Sequence, residues 1–104
     1  MINKKSLEIE LEKAAVRLVE QMILNVFDKI RIKKSWKKKR ISQKMIEKKR
    51  SNIADIGAWL ESDGAEFWFR MYGNCTNKDG FKMLNDFKII VRKSTDFLDL
   101  YEAA

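Results

Sequence analysis

The fold turns on residues 6–30, SLEIELEKAAVRLVEQMILNVFDKI, the longest uninterrupted periodic stretch of the chain. Leu11, Ala15, Leu18 and Met22 recur at 4-3-4 spacing, and Val16, Val19, Ile23, Val26 and Ile30 at 3-4-3-4. Both patterns follow the 3.6-residue turn of an α-helix and not the two-residue period of a strand. Ser6 is a candidate N-cap, with Glu8, Glu10 and Glu12 placed toward the positive end of the helix dipole. Two adjacent apolar stripes on one helix have two explanations. Either both enter the core, or one enters the core and the other meets a second copy of the chain in a homodimer through Ser6–Ile30.

Outward from this helix the punctuation stays helical. Proline is absent, and glycine occurs four times in 104 residues. Ser35 can cap a helix beginning at Trp36, with Ile41 and Met45 one turn apart. Asn52 with Asp55 resembles a capping arrangement, so another helix is expected near Ile53, presenting Ile53, Ile56, Trp59 and Leu60 inward. Ser62-Asp63-Gly64 breaks the chain, and Asp63 with Glu66 caps the aromatic helix Ala65–Tyr72, which should be buried and end at Gly73. A polar loop, NCTNKDG, covers residues 74–80. Phe81, Leu84, Phe87 and Val91 return to helical spacing, although FKIIVRK, residues 87–93, is β-branched enough to be a strand. Ser94 or Thr95 can cap a last short helix with Phe97, Leu98 and Tyr101 docked and Asp96, Asp99 and Glu102 facing water. The expected fold is all-α, one domain over residues 1–104, a bundle of four to six helices with a protruding or edge basic segment.

That segment holds the chemistry. The net charge of +7 is unevenly distributed. Residues 29–50, KIRIKKSWKKKRISQKMIEKKR, carry twelve basic residues and one acidic, while the stretches before and after are mildly acidic. Twelve like charges so close repel one another unless a partner or counterions neutralise them. The plain explanation is a solvated basic helix or arm. The functional one is phosphate contact by Lys33, Lys34, Lys37, Lys38, Lys39, Arg40, Lys44, Lys48, Lys49 and Arg50, with Trp36 free to stack on a base or tuck against the core. Arginines able to pair bidentately with guanine are few there, namely Arg31, Arg40 and Arg50, so charge-led binding with modest base discrimination is expected. The apolar side formed by Trp36, Ile41, Met45 and Ile46 is narrow for a membrane-surface helix, which makes a lipid partner the weaker expectation.

Other classes recede. Without His, and with Cys75 as the single cysteine, the chain lacks His-based triads, cysteine zinc sites and intramolecular disulfides. No apolar run reaches transmembrane length, and residues 1–12 lack the apolar core of a secretory signal, so a cytoplasmic protein is expected. Asp55, Glu61, Asp63 and Glu66 cluster in sequence as a Mg²⁺-dependent nuclease would require, yet each sits where a cap or solvated face would put it. The expectation is a non-enzyme without cofactor. A helix-turn-helix across Ser62-Asp63-Gly64 is disfavoured because AEFWFRMY offers Arg70 and Glu66 among four aromatics, not a polar reading face. Cys75, after a helix C-terminus, reads as a plain loop thiol.

Residues 50–73, RSNIADIGAWLESDGAEFWFRMYG, carry Arg50, Trp59-Leu60, Ser62-Asp63, Phe67 and Gly73. In this arrangement they resemble a segment of small helical bacteriophage and prophage proteins. Those proteins usually carry a Cys in the aromatic helix and an Asp-rich turn after the Gly, where this chain continues as NCTNKDG. The resemblance implies a phage or mobile-element origin in a bacterial host, with roles such as transcription control, packaging accessory work or blocking a host complex. It therefore supplies the alternative of a protein-interaction inhibitor acting on an acidic or nucleic-acid-associated host surface.

Overall fold

The computed structural model describes residues 3–37 and 40–103, and among these the chain is all-α. Four helices follow in order, α1 (Lys4–Ile30), α2 (Gln43–Leu60), α3 (Asp63–Thr76) and α4 (Gly80–Ala103), with a 3-10 turn at Lys34–Lys37 between α1 and α2. The helix count lies within the expected range.

α1 begins one turn earlier than its serine suggests. Asn3 is the N-cap, its side chain accepting from the Lys5 N–H at 3.1 Å, so Ser6 lies inside the helix. The two stripes separate. Val19, Ile23 and Ile30 are buried, whereas Leu11, Ala15 and Leu18 of the other stripe are exposed. The core therefore takes one stripe and leaves the amino-terminal half of the other outside.

The basic segment is not a helix of its own. Ser35 lies in the 3-10 turn, and the cap that starts α2 is Ser42, whose hydroxyl accepts from the Met45 N–H at 3.3 Å. Asn52 is consequently a mid-helix residue, and Gln43–Arg50 and Ile53–Leu60 form one continuous rod. Nothing between them breaks a helix. A capping-type pair ending in Asp55 has no turn residue before it to interrupt the ladder.

Two residues, Glu61 and Ser62, link α2 to α3, with the Ser62 hydroxyl accepting from Ala65 N–H. α3 runs past Gly73 to Thr76, and its left-handed C-cap is Asn77 (φ 56°, ψ 40°). Gly73 is needed for a different reason. A Cβ there would lie 2.8 Å from the Lys78 carbonyl and 2.9 Å from the Gly80 nitrogen, so glycine admits the close return of the chain. Gly80 opens α4 and itself sits against the Phe69 carbonyl. The aromatic helix is buried on one side only: Phe69 and Tyr72 are inside, while Phe67 is exposed.

α4 replaces three expected pieces. The β-branched stretch 87–93 is helical, and no cap acts at Ser94 or Thr95, because Ser94 is buried and the Thr95 hydroxyl donates back to the Val91 carbonyl at 2.9 Å. Tertiary packing overrides β-propensity here, as Leu84, Phe87 and Leu98 keep helical spacing throughout.

Two buried clusters share α4. The larger joins Val19, Ile23 and Ile30 to Leu60, Phe69, Leu84 and Phe87, with the Phe69 and Phe87 rings edge to face at 5.1 Å. The smaller contains Ile41, Ile46, Ile53 and Leu98. Val91 borders both, next to Gly57, where an added Cβ would stand 3.3 Å from Val91 Cγ1. The smaller cluster positions the basic residues.

Candidate nucleic-acid interface

The smaller cluster holds described residues on either side of positions 38–39. Ile32 and Trp36 pack on it from outside, and Ile41 enters it, donating its backbone N–H to the Tyr101 hydroxyl at 2.6 Å. A sequence with so many lysines is thus held to the body by a few apolar residues spaced between them.

Between the end of α1, the 3-10 turn and the first turns of α2 lies an open cleft of about 380 Å³. Lys29, Lys33, Lys48 and Lys49 line it, with Trp36 and Met45 as apolar walls and Asp28 and Asn52 completing the rim. The Asp28 carboxylate is already engaged by Arg31 at 2.9 Å, and that guanidinium holds its pKa below the ordinary carboxylate value. α2 adds to the positive field, since its first turn contains no acidic residue while its dipole presents a positive end there.

Lys49 differs from the other cations. Its residue is 8% exposed, its Nζ donates to the Asp28 backbone carbonyl at 3.3 Å, and the same ammonium lies 5.7 Å from the Trp36 ring centroid. Burial holds its pKa below the ordinary lysine value; Asp28 opposes that shift, and Lys33 and Arg31 add to it. Lys49 therefore lines the cleft as a largely buried residue with its ammonium against the Trp36 ring, rather than standing in solvent as phosphate contact requires.

Arg50 is committed elsewhere. Its guanidinium reaches Asp99 at 2.8 Å and Glu102 at 2.9 Å on α4, and these hydrogen bonds raise its pKa. Asp99 and Glu102, expected to face water alone, are the acceptors. Arg50 is thus a tie between α2 and α4, neutralised within the chain.

The remaining candidates do not all share one groove. Lys33 and Lys48 are exposed in the cleft, and Lys34, Arg40 and Lys44 are exposed nearby in sequence. Lys37 lines a second groove instead, with Arg31 and Lys93 beside Phe27, Ile32 and Phe97. Lys38 and Lys39 lie outside the described residues. Among the described residues, the ion pairs drawn from the basic segment involve Arg31 and Arg50, so Lys33, Lys34, Lys37, Arg40, Lys44 and Lys48 take no part in them.

Sequence reasoning passed over Lys29 and Lys93 as site residues. Lys29 occupies the last turn of α1, where a cation suits the helix dipole, and nothing in its spacing announces the cleft. Lys93 reaches the second groove from α4, a contact that depends wholly on tertiary packing.

The carboxylates do not converge. Glu61 pairs with Lys88 at 3.3 Å, Glu66 with Arg70 at 3.2 Å, and Asp63 lies in the first turn of α3. Among the described residues no group of three His, Cys, Asp or Glu side chains is placed to hold a metal ion. Cys75 is exposed in the last turn of α3, inside the helix and not in a loop. No described helix is long and apolar enough to cross a membrane. Compared with protein-family models, characterised proteins and solved structures, the chain finds no match.

Proposed function

We propose that this chain is a non-enzymatic nucleic-acid-binding protein whose basic segment contacts phosphates from the side of the molecule where α1 ends and α2 begins. The observation that carries this reading is the cleft in which Lys29, Lys33 and Lys48 surround the Trp36 wall. Cations beside an aromatic surface suit a phosphodiester chain carrying bases: the ammonium groups displace its condensed counterions, and the indole offers a π-face to an unpaired base. Lys34, Arg40 and Lys44 extend the field to neighbouring phosphates. Lys49 and Arg50 act indirectly, the first by bracing Trp36 and the second by tying α2 to α4.

Binding is led by charge, with weak discrimination among bases, since Arg31 and Arg50 spend their guanidinium groups on internal carboxylates. The resemblance of residues 50–73 to phage proteins supports a regulatory role in a bacterial host cell, in its cytoplasm.

The test is titration of labelled single-stranded DNA, duplex DNA and RNA with the whole protein at about 50 and 200 mM salt. Steep weakening with salt is the expected result. Absence of binding to all three probes at the lower salt overturns the proposal and favours the inhibitor of a host protein complex.

A further inference from the structure

We propose that the amino-terminal half of α1 is a self-association surface, pairing antiparallel with the same segment of a second copy of this chain. Leu7, Leu11 and Leu18 are 48%, 61% and 66% exposed, and with Ala14 they form one stripe at 4-3-4 spacing. That is the a/d seam of a two-stranded coiled coil. Toward the carboxyl end the same face turns into Met22, which packs on the chain's own larger cluster, so the unpartnered part is confined to the segment before the bundle. The 64 Å long axis of the molecule, against 26 and 19 Å across, leaves that segment accessible beyond the bundle.

Charge selects the occupant and its direction. Glu8, Glu10 and Glu12 precede Lys13 and Arg17, with Lys5 before them and Glu20 after. A parallel pair would align the three glutamates with their own copies. An antiparallel pair with its two-fold axis between Glu12 and Lys13 sets the acidic half against the basic half, Leu7 against Leu18 of the second copy, and Leu11 against Ala14 of the second copy. Leu–Leu and Leu–Ala layers are the a-to-d pairing that an antiparallel seam requires. Glu10 and Arg17, two turns apart on one edge of the stripe, then meet Arg17 and Glu10 of the second copy. This direction also opposes the helix dipoles and puts the two bundles at opposite ends, where they do not collide. The shared seam is about 27 Å long, counted as eighteen residues at 1.5 Å each. So short a contact buries less than a standard stable interface, and the association is concentration-dependent.

Sedimentation velocity over a concentration series should show one copy passing to two. Arg17→Glu should weaken association by about tenfold or more, and Glu10→Arg combined with Arg17→Glu should restore it. Register is tested by disulfides in a Cys75→Ser background. Leu7→Cys with Leu18→Cys in one chain should give an oxidised covalent dimer. Either substitution alone should not, because like positions lie about 16 Å apart along the seam and a disulfide needs Cα atoms within about 7 Å. Both leucines are exposed, so the bundle remains folded in these variants, as circular dichroism will verify. A one-copy species at all concentrations, or ready cross-linking of Leu7→Cys alone, overturns the proposal.

Discussion

Replacing Lys33 and Lys48 together with glutamine tests the cleft directly, because both side chains line it, both are exposed and neither belongs to an ion pair among the described residues. Each phosphate contact on duplex DNA contributes about 0.9 to the slope of log K against log salt. With roughly six contacts the parent slope is about −5.4, and removing two brings it to about −3.6. Between 1 M and 0.1 M salt each contact is worth about 0.9 of a decade, so the double variant should bind duplex about 60-fold more weakly near 0.1 M and nearly equally near 1 M. On single strands, at about 0.7 per contact, the same loss is about 25-fold. Fluorescence anisotropy across four salt concentrations measures both quantities. The thermal midpoint should not fall, since neither lysine is buried. Lys4→Gln with Lys5→Gln removes the same charge from the far end of α1, some 37 Å along the helix, and should leave the slope unchanged. An unaltered slope in the cleft variant, or an equal change in the control, refutes the phosphate assignment.

Three further outcomes follow from the internal contacts. The folded pKa of Lys49 lies below its unfolded value, so between the two the unfolded chain binds more protons and stability rises with pH. Lys49→Met should flatten that rise, seen as a smaller difference in urea midpoint between pH 7 and pH 10, and should be neutral to stabilising at pH 7. Arg50→Ala removes two ion pairs whose members are about one-third to three-fifths exposed, so the cost in chemical denaturation should be about 1 kcal/mol or less and should shrink in high salt. Gly80→Ala drives a methyl into the Phe69 carbonyl, where backbone and not a flexible side chain must yield; a loss of about 3 kcal/mol is expected, read as a fall in thermal midpoint of more than ten degrees.

What the sequence displays well is periodicity. The stripe Val16, Val19, Ile23, Val26, Ile30 is the face α1 buries or half-buries, and Ile53, Leu60, Phe69, Leu84 and Phe87 are all in the core. Boundaries are less legible, because residues able to cap are frequent and only some are used. Asn3, Ser42 and Ser62 act, while Ser6, Asn52 and Ser94 stand inside helices. Local sequence cannot rank them when the deciding factor is where the next apolar anchor lands. The same limit applies to the site. A run of lysines announces charge, but Lys48 and Lys49 are neighbours with opposite surroundings, one in solvent and one under Trp36. Arg50 finds its carboxylates fifty residues away, which no short-range pattern encodes.

The continuity of α4 through both apolar clusters bears on how the molecule opens. The smaller cluster, with Ile41, Ile46, Ile53 and Leu98, has little apolar burial of its own, so amide protons of the early turns of α2 should exchange sooner than those around Phe69 and Phe87. Because one unbroken rod underlies both, such opening amounts to the first turns of α2 peeling away from a standing post.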